Sequence, residues 1–269
     1  MTNVKTADGT ELFVKDWGNG HPLVFVSSWA CTNDIWQYQH VHFTEAGRRV
    51  VAFDRRGHGR SDVPPDGYDI DTLADDIAHV IRARDLTDVT LIGHSMGCGE
   101  IVRYLSRHGT SKVSRIVLAA PTTPFLLKTA ANPDGVDAAM FEAMRAGWRK
   151  DFPKWLHDNA PAFFVPETSQ AMIDWGVAMM RQIPLKVALD CNQVVIETDF
   201  RDDLTRISMP TLILHGTADA SAPLALTGQR TAALIPGCQF KVYEGAPHGL
   251  MFTHQDKLNA DIAAFIAGS

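Results

Sequence analysis

The sequence predicts an α/β fold, a mostly parallel sheet with helices on both faces and an inserted helical cap. Short apolar runs rich in β-branched residues recur along the chain, and segments of helical periodicity separate them. The alternation stops over residues 121–207, where no convincing strand is found and the pattern is mostly helical.

The elements follow in order. Residues 11–17 alternate like a strand, Asn19-Gly20 reads as a turn and 23–26 as the next strand, which is expected to pair as an antiparallel hairpin. The apolar runs at 50–53, 89–92, 113–120, 211–214 and 240–243 are further strands. Leu73, Ile77, Val80 and Ile81 form one helical face; Leu258, Ile262, Phe265 and Ile266 form another that ends near Gly268. Strand–helix alternation implies right-handed crossovers and a covered parallel sheet, with reactive groups at the carboxyl ends of the strands. Residues 1–120 and 208–269 are therefore expected to form the core and 121–207 the cap. The cap carries Met140, Met144, Met172, Met179 and Met180 with Trp148, Trp155 and Trp175, an apolar set suited to a pocket wall.

Composition narrows the partners. With 269 residues and 45% hydrophobic side chains the chain can bury a large core. Its net charge of −6 and the lack of any basic run leave no electrostatic footprint for nucleic acid or an anionic membrane, so a small neutral molecule is the expected partner. Residues 1–13 are polar, and no stretch approaches the roughly eighteen apolar residues of a membrane span, so a cytoplasmic protein is expected. Cys31, Cys98, Cys191 and Cys238 have neither zinc spacing nor the density of a disulfide framework, and free thiols are expected. A homo-oligomer is compatible with the sequence.

Gly93-His94-Ser95-Met96-Gly97 follows the strand at 89–92 and precedes the apolar-periodic Ile101, Val102 and Leu105, the context of a nucleophile elbow. The glycines suit a turn so sharp that side chains would strike neighbouring backbone, and the serine is expected in strained dihedrals with its hydroxyl exposed. A serine hydroxyl needs a base within reach, and the base needs an acid to hold one tautomer. In the chain order Ser, acid, His, the strand at 211–214 runs into Asp219 and the strand at 240–243 runs into His248. Among the other histidines, His94 is expected to point away from the site, His58 to brace a Gly-rich loop, and His215 to be a satisfied buried group. Asp199, Asp202 and Asp203 precede their strand, which disfavours them as the acid. An oxyanion requires backbone donors: Met96, directly after the nucleophile, and Trp29, in the loop after residues 23–26.

The segment Ser95-Met96-Gly97-Cys98-Gly99-Glu100-Ile101-Val102-Arg103-Tyr104 resembles the elbow of the bacterial arylesterase, non-haem chloroperoxidase and perhydrolase group of α/β-hydrolases. Phe53-Asp54-Arg55-Arg56-Gly57-His58-Gly59-Arg60-Ser61, Glu197-Thr198-Asp199-Phe200-Arg201-Asp202-Asp203-Leu204 and Ala246-Pro247-His248-Gly249 resemble other segments of that group. The resemblance covers nearly the whole chain. It implies the α/β-hydrolase fold, the triad Ser95, Asp219 and His248, amide donors at Trp29 and Met96, and no metal, haem or other cofactor. Two departures stand out: Ser27-Ser28 replaces the His-Gly usual before the oxyanion tryptophan, and Cys98 replaces a glycine.

The expected reaction is acyl transfer to water on a small carboxylic ester or lactone, through an acyl-enzyme on Ser95. Perhydrolysis, with peroxide in place of water and halide oxidation by the peracid, uses the same three residues, as does carbon–carbon bond hydrolysis. A cap-gated small-molecule receptor is the alternative from another class.

Overall fold

The run Leu23-Val24-Phe25-Val26 has no polar side chain, so a strand there requires cover on both faces. The structure, a computed structural model, describes residues 3–268. Strands β1 (Val4–Lys5) and β2 (Glu11–Leu12) form a small antiparallel sheet. Seven more, β3 (Val14–Trp17), β4 (Pro22–Val26), β5 (Arg49–Phe53), β6 (Val89–His94), β7 (Val113–Ala119), β8 (Thr211–Gly216) and β9 (Gln239–Tyr243), form a sheet of order β3-β5-β4-β6-β7-β8-β9. Only β3 runs antiparallel to its neighbour.

The helices are α1 (Gln37–Glu45), α2 (Ile70–Ala83), α3 (Met96–His108), α4 (Ala138–Asn159), α5 (Gln170–Met180), α6 (Leu185–Glu197), α7 (Arg201–Thr205), α8 (Gly228–Leu234), α9 (Leu250–Thr253) and α10 (Gln255–Ala267). Successive side chains of a strand point to opposite faces, and both are used. Val24 and Val26 pack with Leu91, Ile77, Val80 and Ile101 under α2 and α3. Leu23 and Phe25 pack with Phe43, Leu258, Ile262 and Phe265 under α1 and α10. Each buried aliphatic or aromatic side chain contributes about 1.5–3 kcal/mol, so these two seams hold the sheet in place. Helix α2 starts where the Asp69 side chain accepts from the Thr72 amide, an N-cap.

The expected hairpin does not form. Residues 11–17 divide into β2 and β3, and β3 pairs with β5, Val14 opposite Phe53 and Trp17 opposite Val50. Strand β5 therefore lies between β3 and β4. Strand β4, apolar throughout, takes a parallel partner on each edge, whereas β3, which carries Asp16 and a partly exposed Trp17, takes the sheet edge. Gly18, at φ +74°, permits the crossing, since a β-carbon there would lie 2.4 Å from the Arg48 carbonyl oxygen.

Between β7 and β8 lie α4 to α7. Helix α4 is kinked at Asp151, φ −159° and ψ 83°, just before Pro153 removes a backbone donor. Trp148, Phe152 and Leu156 from α4 pack with Ile183 and Val187, and also with Ala30 and Met96 from the ends of β4 and β6. Phe200, Leu204 and Ile207, around α7, join instead the apolar layer under α2 and α3.

Candidate active site

Strand β6 is buried along its length and passes into α3 through Ser95. Ser95 has φ 55° and ψ −116°, a conformation that costs energy for any residue with a β-carbon. Its amide donates to the Ala119 carbonyl at 3.0 Å and its carbonyl accepts from the Cys98 amide at 3.0 Å, so the strain is held from both sides. A β-carbon at Gly97 would lie 2.7 Å from the Val26 carbonyl oxygen and 2.8 Å from that of Ser27. That close approach sets the start of α3 against the end of β4 and brings the 27–29 loop to the elbow.

Asp219 lies beyond β8. Its Oδ1 accepts from the amides of Ser221 at 2.9 Å and Ala222 at 2.7 Å, while Oδ2 accepts from His248 Nδ1 at 2.7 Å. Burial opposes its charge, but His248, His215 and the Ala222 amide outweigh burial and hold the carboxyl well below the usual carboxylate range. An ionised Asp219 fixes the proton of His248 on Nδ1 and leaves Nε2 as the acceptor, the tautomer a general base requires. Asp219 and His248 are both buried.

The structure thus joins Asp219 to His248 directly, and His94, the residue before Ser95, lies against His248. The His94 ring lies 4.5 Å from the His248 ring, and its Nε2 donates to the His248 carbonyl at 2.9 Å. His94 was expected to point elsewhere; its ring lies against His248 and braces the segment that carries it. Burial holds His94 far below its ordinary value, so the ring is neutral. His215 is only partly satisfied: Nε2 donates to the Ala222 carbonyl at 2.8 Å and lies 3.2 Å from Asp219 Oδ2, while Nδ1 is buried without a partner among the described residues. The His94 contact has no local sequence signal, because His248 lies 154 residues further along the chain, whereas both His215 contacts fall within the next seven residues. His58 donates from Nδ1 to the Arg56 carbonyl at 3.0 Å, within the Gly-rich loop.

The amides of Trp29 and Met96 have no hydrogen-bond partner among the described residues. Ser28, at the position where the resembling group has glycine, does not occupy the left-handed region, so its side chain adds no backbone strain. The Trp29 indole stacks on Trp148, centroids 4.7 Å apart, meets Phe152 and Trp155 edge-on, and donates to the Ala188 carbonyl at 2.9 Å. Phe163 lies 5.4 Å from the His248 ring and shares an apolar cavity with Cys31, Phe164, Val177, Met180 and Phe252. All four cysteines are free, and burial pushes the Cys31 thiol up to about 12, which keeps it protonated. No group of three or more His, Cys, Asp or Glu among the described residues could hold a metal ion. No described helix is long and apolar enough to cross a membrane.

Residues 23–261 fit the model of the alpha/beta hydrolase family. The chain belongs to that family. Among α/β hydrolases it is 40% identical to a non-heme chloroperoxidase of Kitasatospora aureofaciens, over 97% of this chain and 98% of the relative. It is 35% identical to a bifunctional esterase/perhydrolase of Acinetobacter calcoaceticus, over 99% of both chains. An esterase from Exiguobacterium antarcticum superposes with a TM-score of 0.95 at 31% identity, covering 98% of each chain. The seven-stranded sheet with flanking helices is the α/β hydrolase fold.

Proposed function

We propose that this α/β hydrolase cleaves small carboxylic esters or lactones through an acyl-enzyme on Ser95. The strained Ser95 at the strand-to-helix turn, together with a His248 whose Nδ1 is held by Asp219 at 2.7 Å, supports the reading. His248 Nε2 takes the Ser95 proton as the hydroxyl oxygen attacks the carbonyl carbon, and the amides of Trp29 and Met96 receive the oxyanion. Collapse of the tetrahedral intermediate expels the alcohol, which His248 protonates. Water, deprotonated by His248, then attacks the acyl carbon and Ser95 leaves with the proton. Residues 121–207 act as the cap, and the apolar wall near Phe163 favours an uncharged substrate with a hydrophobic part.

Multiple-turnover hydrolysis of p-nitrophenyl esters and lactones by the native chain and by Ser95→Ala tests the proposal. Turnover that the substitution abolishes supports it, and equal turnover by both folded proteins refutes Ser95 as nucleophile.

The likeness to a non-heme chloroperoxidase favours a second activity of the same site. Hydrogen peroxide in place of water attacks the acyl-enzyme, the peracid departs, and the peracid then oxidises halide and returns to the acid. Bromination of monochlorodimedone that requires peroxide, bromide and a carboxylic acid together, and that is lost in Ser95→Ala, is the expected result.

A further inference from the structure

A guanidinium stays in a protein interior only where its donors find acceptors. Arg55, directly beyond β5, is 2% exposed, and the oxygens it meets belong to the two arms of the oxyanion site. Its Nε donates to Glu100 Oε1 at 2.7 Å, Nη2 to the Ser27 carbonyl at 2.6 Å and Nη1 to the Ser28 carbonyl at 3.0 Å. Glu100, equally buried, is in α3, one turn beyond Met96. One side chain therefore ties the helix that carries one candidate amide to the loop that carries the other.

The Ser28 carbonyl and the Trp29 N–H belong to one planar trans peptide, so they point in opposite directions. Whatever holds the oxygen aims the hydrogen. The Ser28 oxygen is held by Arg55 and also by the Cys31 amide at 3.3 Å. We propose that Arg55, braced by Glu100, is the positioning residue of the oxyanion site: it fixes the Ser28–Trp29 peptide plane so that the Trp29 N–H faces the reacting carbonyl. A cation on the carbonyl end also polarises that peptide and strengthens its N–H as a donor. A lone aspartate or amide at residue 55 could not reach three acceptors on two elements, whereas the guanidinium fork does so without strain. The proposal rests on the serine-esterase reading above.

The test compares native enzyme, R55M/E100Q, which leaves no unpaired carboxylate, and R55K, which keeps charge but loses the fork. Ester kcat and KM, inhibition by an aryl trifluoromethyl ketone, and the ¹⁵N–¹H resonance of the Trp29 backbone amide are measured, with thermal melting to establish folding. In each folded variant kcat is expected to fall by about 10–100-fold at nearly constant KM, with ketone affinity falling in parallel. The Trp29 resonance is expected to move. Retention of kcat within about twofold, or loss of kcat with ketone affinity unchanged, overturns the proposal. Should R55M/E100Q not fold, R55K is judged by the same criteria. Failure of the native enzyme on every ester overturns the esterase reading instead, and the amide resonance then decides the role of Arg55: unmoved in R55K, it sinks the positioning role.

Discussion

At the residue scale, the site depends on which nitrogen carries a proton. Asp219→Asn presents His248 with an amide that can stabilise the wrong tautomer, and kcat is expected to fall by about 10⁴-fold in steady-state ester kinetics with the fold retained. His94→Phe keeps a ring against His248 but removes the donor to its carbonyl. Its kcat is expected to fall roughly 10–100-fold from misplacement of the base, at unchanged KM, and urea unfolding should register a loss of about 1–3 kcal/mol from the unpaired carbonyl. Ser95, Asp219 and His248 were singled out because each follows a local strand-to-loop pattern. The contact of His94 with His248 has no such pattern: a histidine in a strand end looks the same whether or not a distant loop lies against it.

At the scale of elements, the strands were read correctly where side-chain pattern alone determines them, and misread where partner choice does. Nothing in residues 11–26 says that β5, thirty residues on, inserts between β3 and β4; the apolar character of both faces of β4 was the available sign of an interior strand. The two-residue strands β1 and β2 are too short to produce a periodicity. The contact between α3 and β4 yields a direct test. Gly97→Ala places a methyl group against the Val26 and Ser27 carbonyls, where backbone must move. Overpacking of this kind is expected to cost about 1–3 kcal/mol in chemical denaturation, and kcat should fall as the 27–29 loop shifts. Trp148→Ala removes the partner of Trp29 from a fully buried site and is expected to cost about 3–5 kcal/mol. Increased proteolysis within residues 121–207 would accompany the loss; unchanged melting would contradict the packing.

At the scale of the whole molecule, buried titratable groups set the response to acid. Burial pushes His40 and His58 down to about 3 from an ordinary 6.5 and holds His94 well below that ordinary value too. Below pH 6.5 the unfolded chain takes up these three protons before the folded one, so stability falls as pH drops from 6.5 towards 3. Glu100 has the opposite sign: burial raises it from 4.5 to about 7, so the folded state binds its proton first between those values. His21 and His254 are lowered by burial as well, so the histidines outnumber Glu100 and unfolding takes up protons on balance as pH falls below 6.5. The urea midpoint is expected to drop steeply from pH 6.5 to 5, and a flat profile would contradict neutral burial of these histidines. The order of the strands has another consequence, for synthesis. Ser95 and Met96 precede β7 in the chain, whereas Asp219 and His248 follow β8 and β9, beyond helices α4 to α7. On the proposed mechanism a growing chain carries an inert serine until its carboxyl-terminal strands emerge and dock, so hydrolytic competence is acquired late in folding.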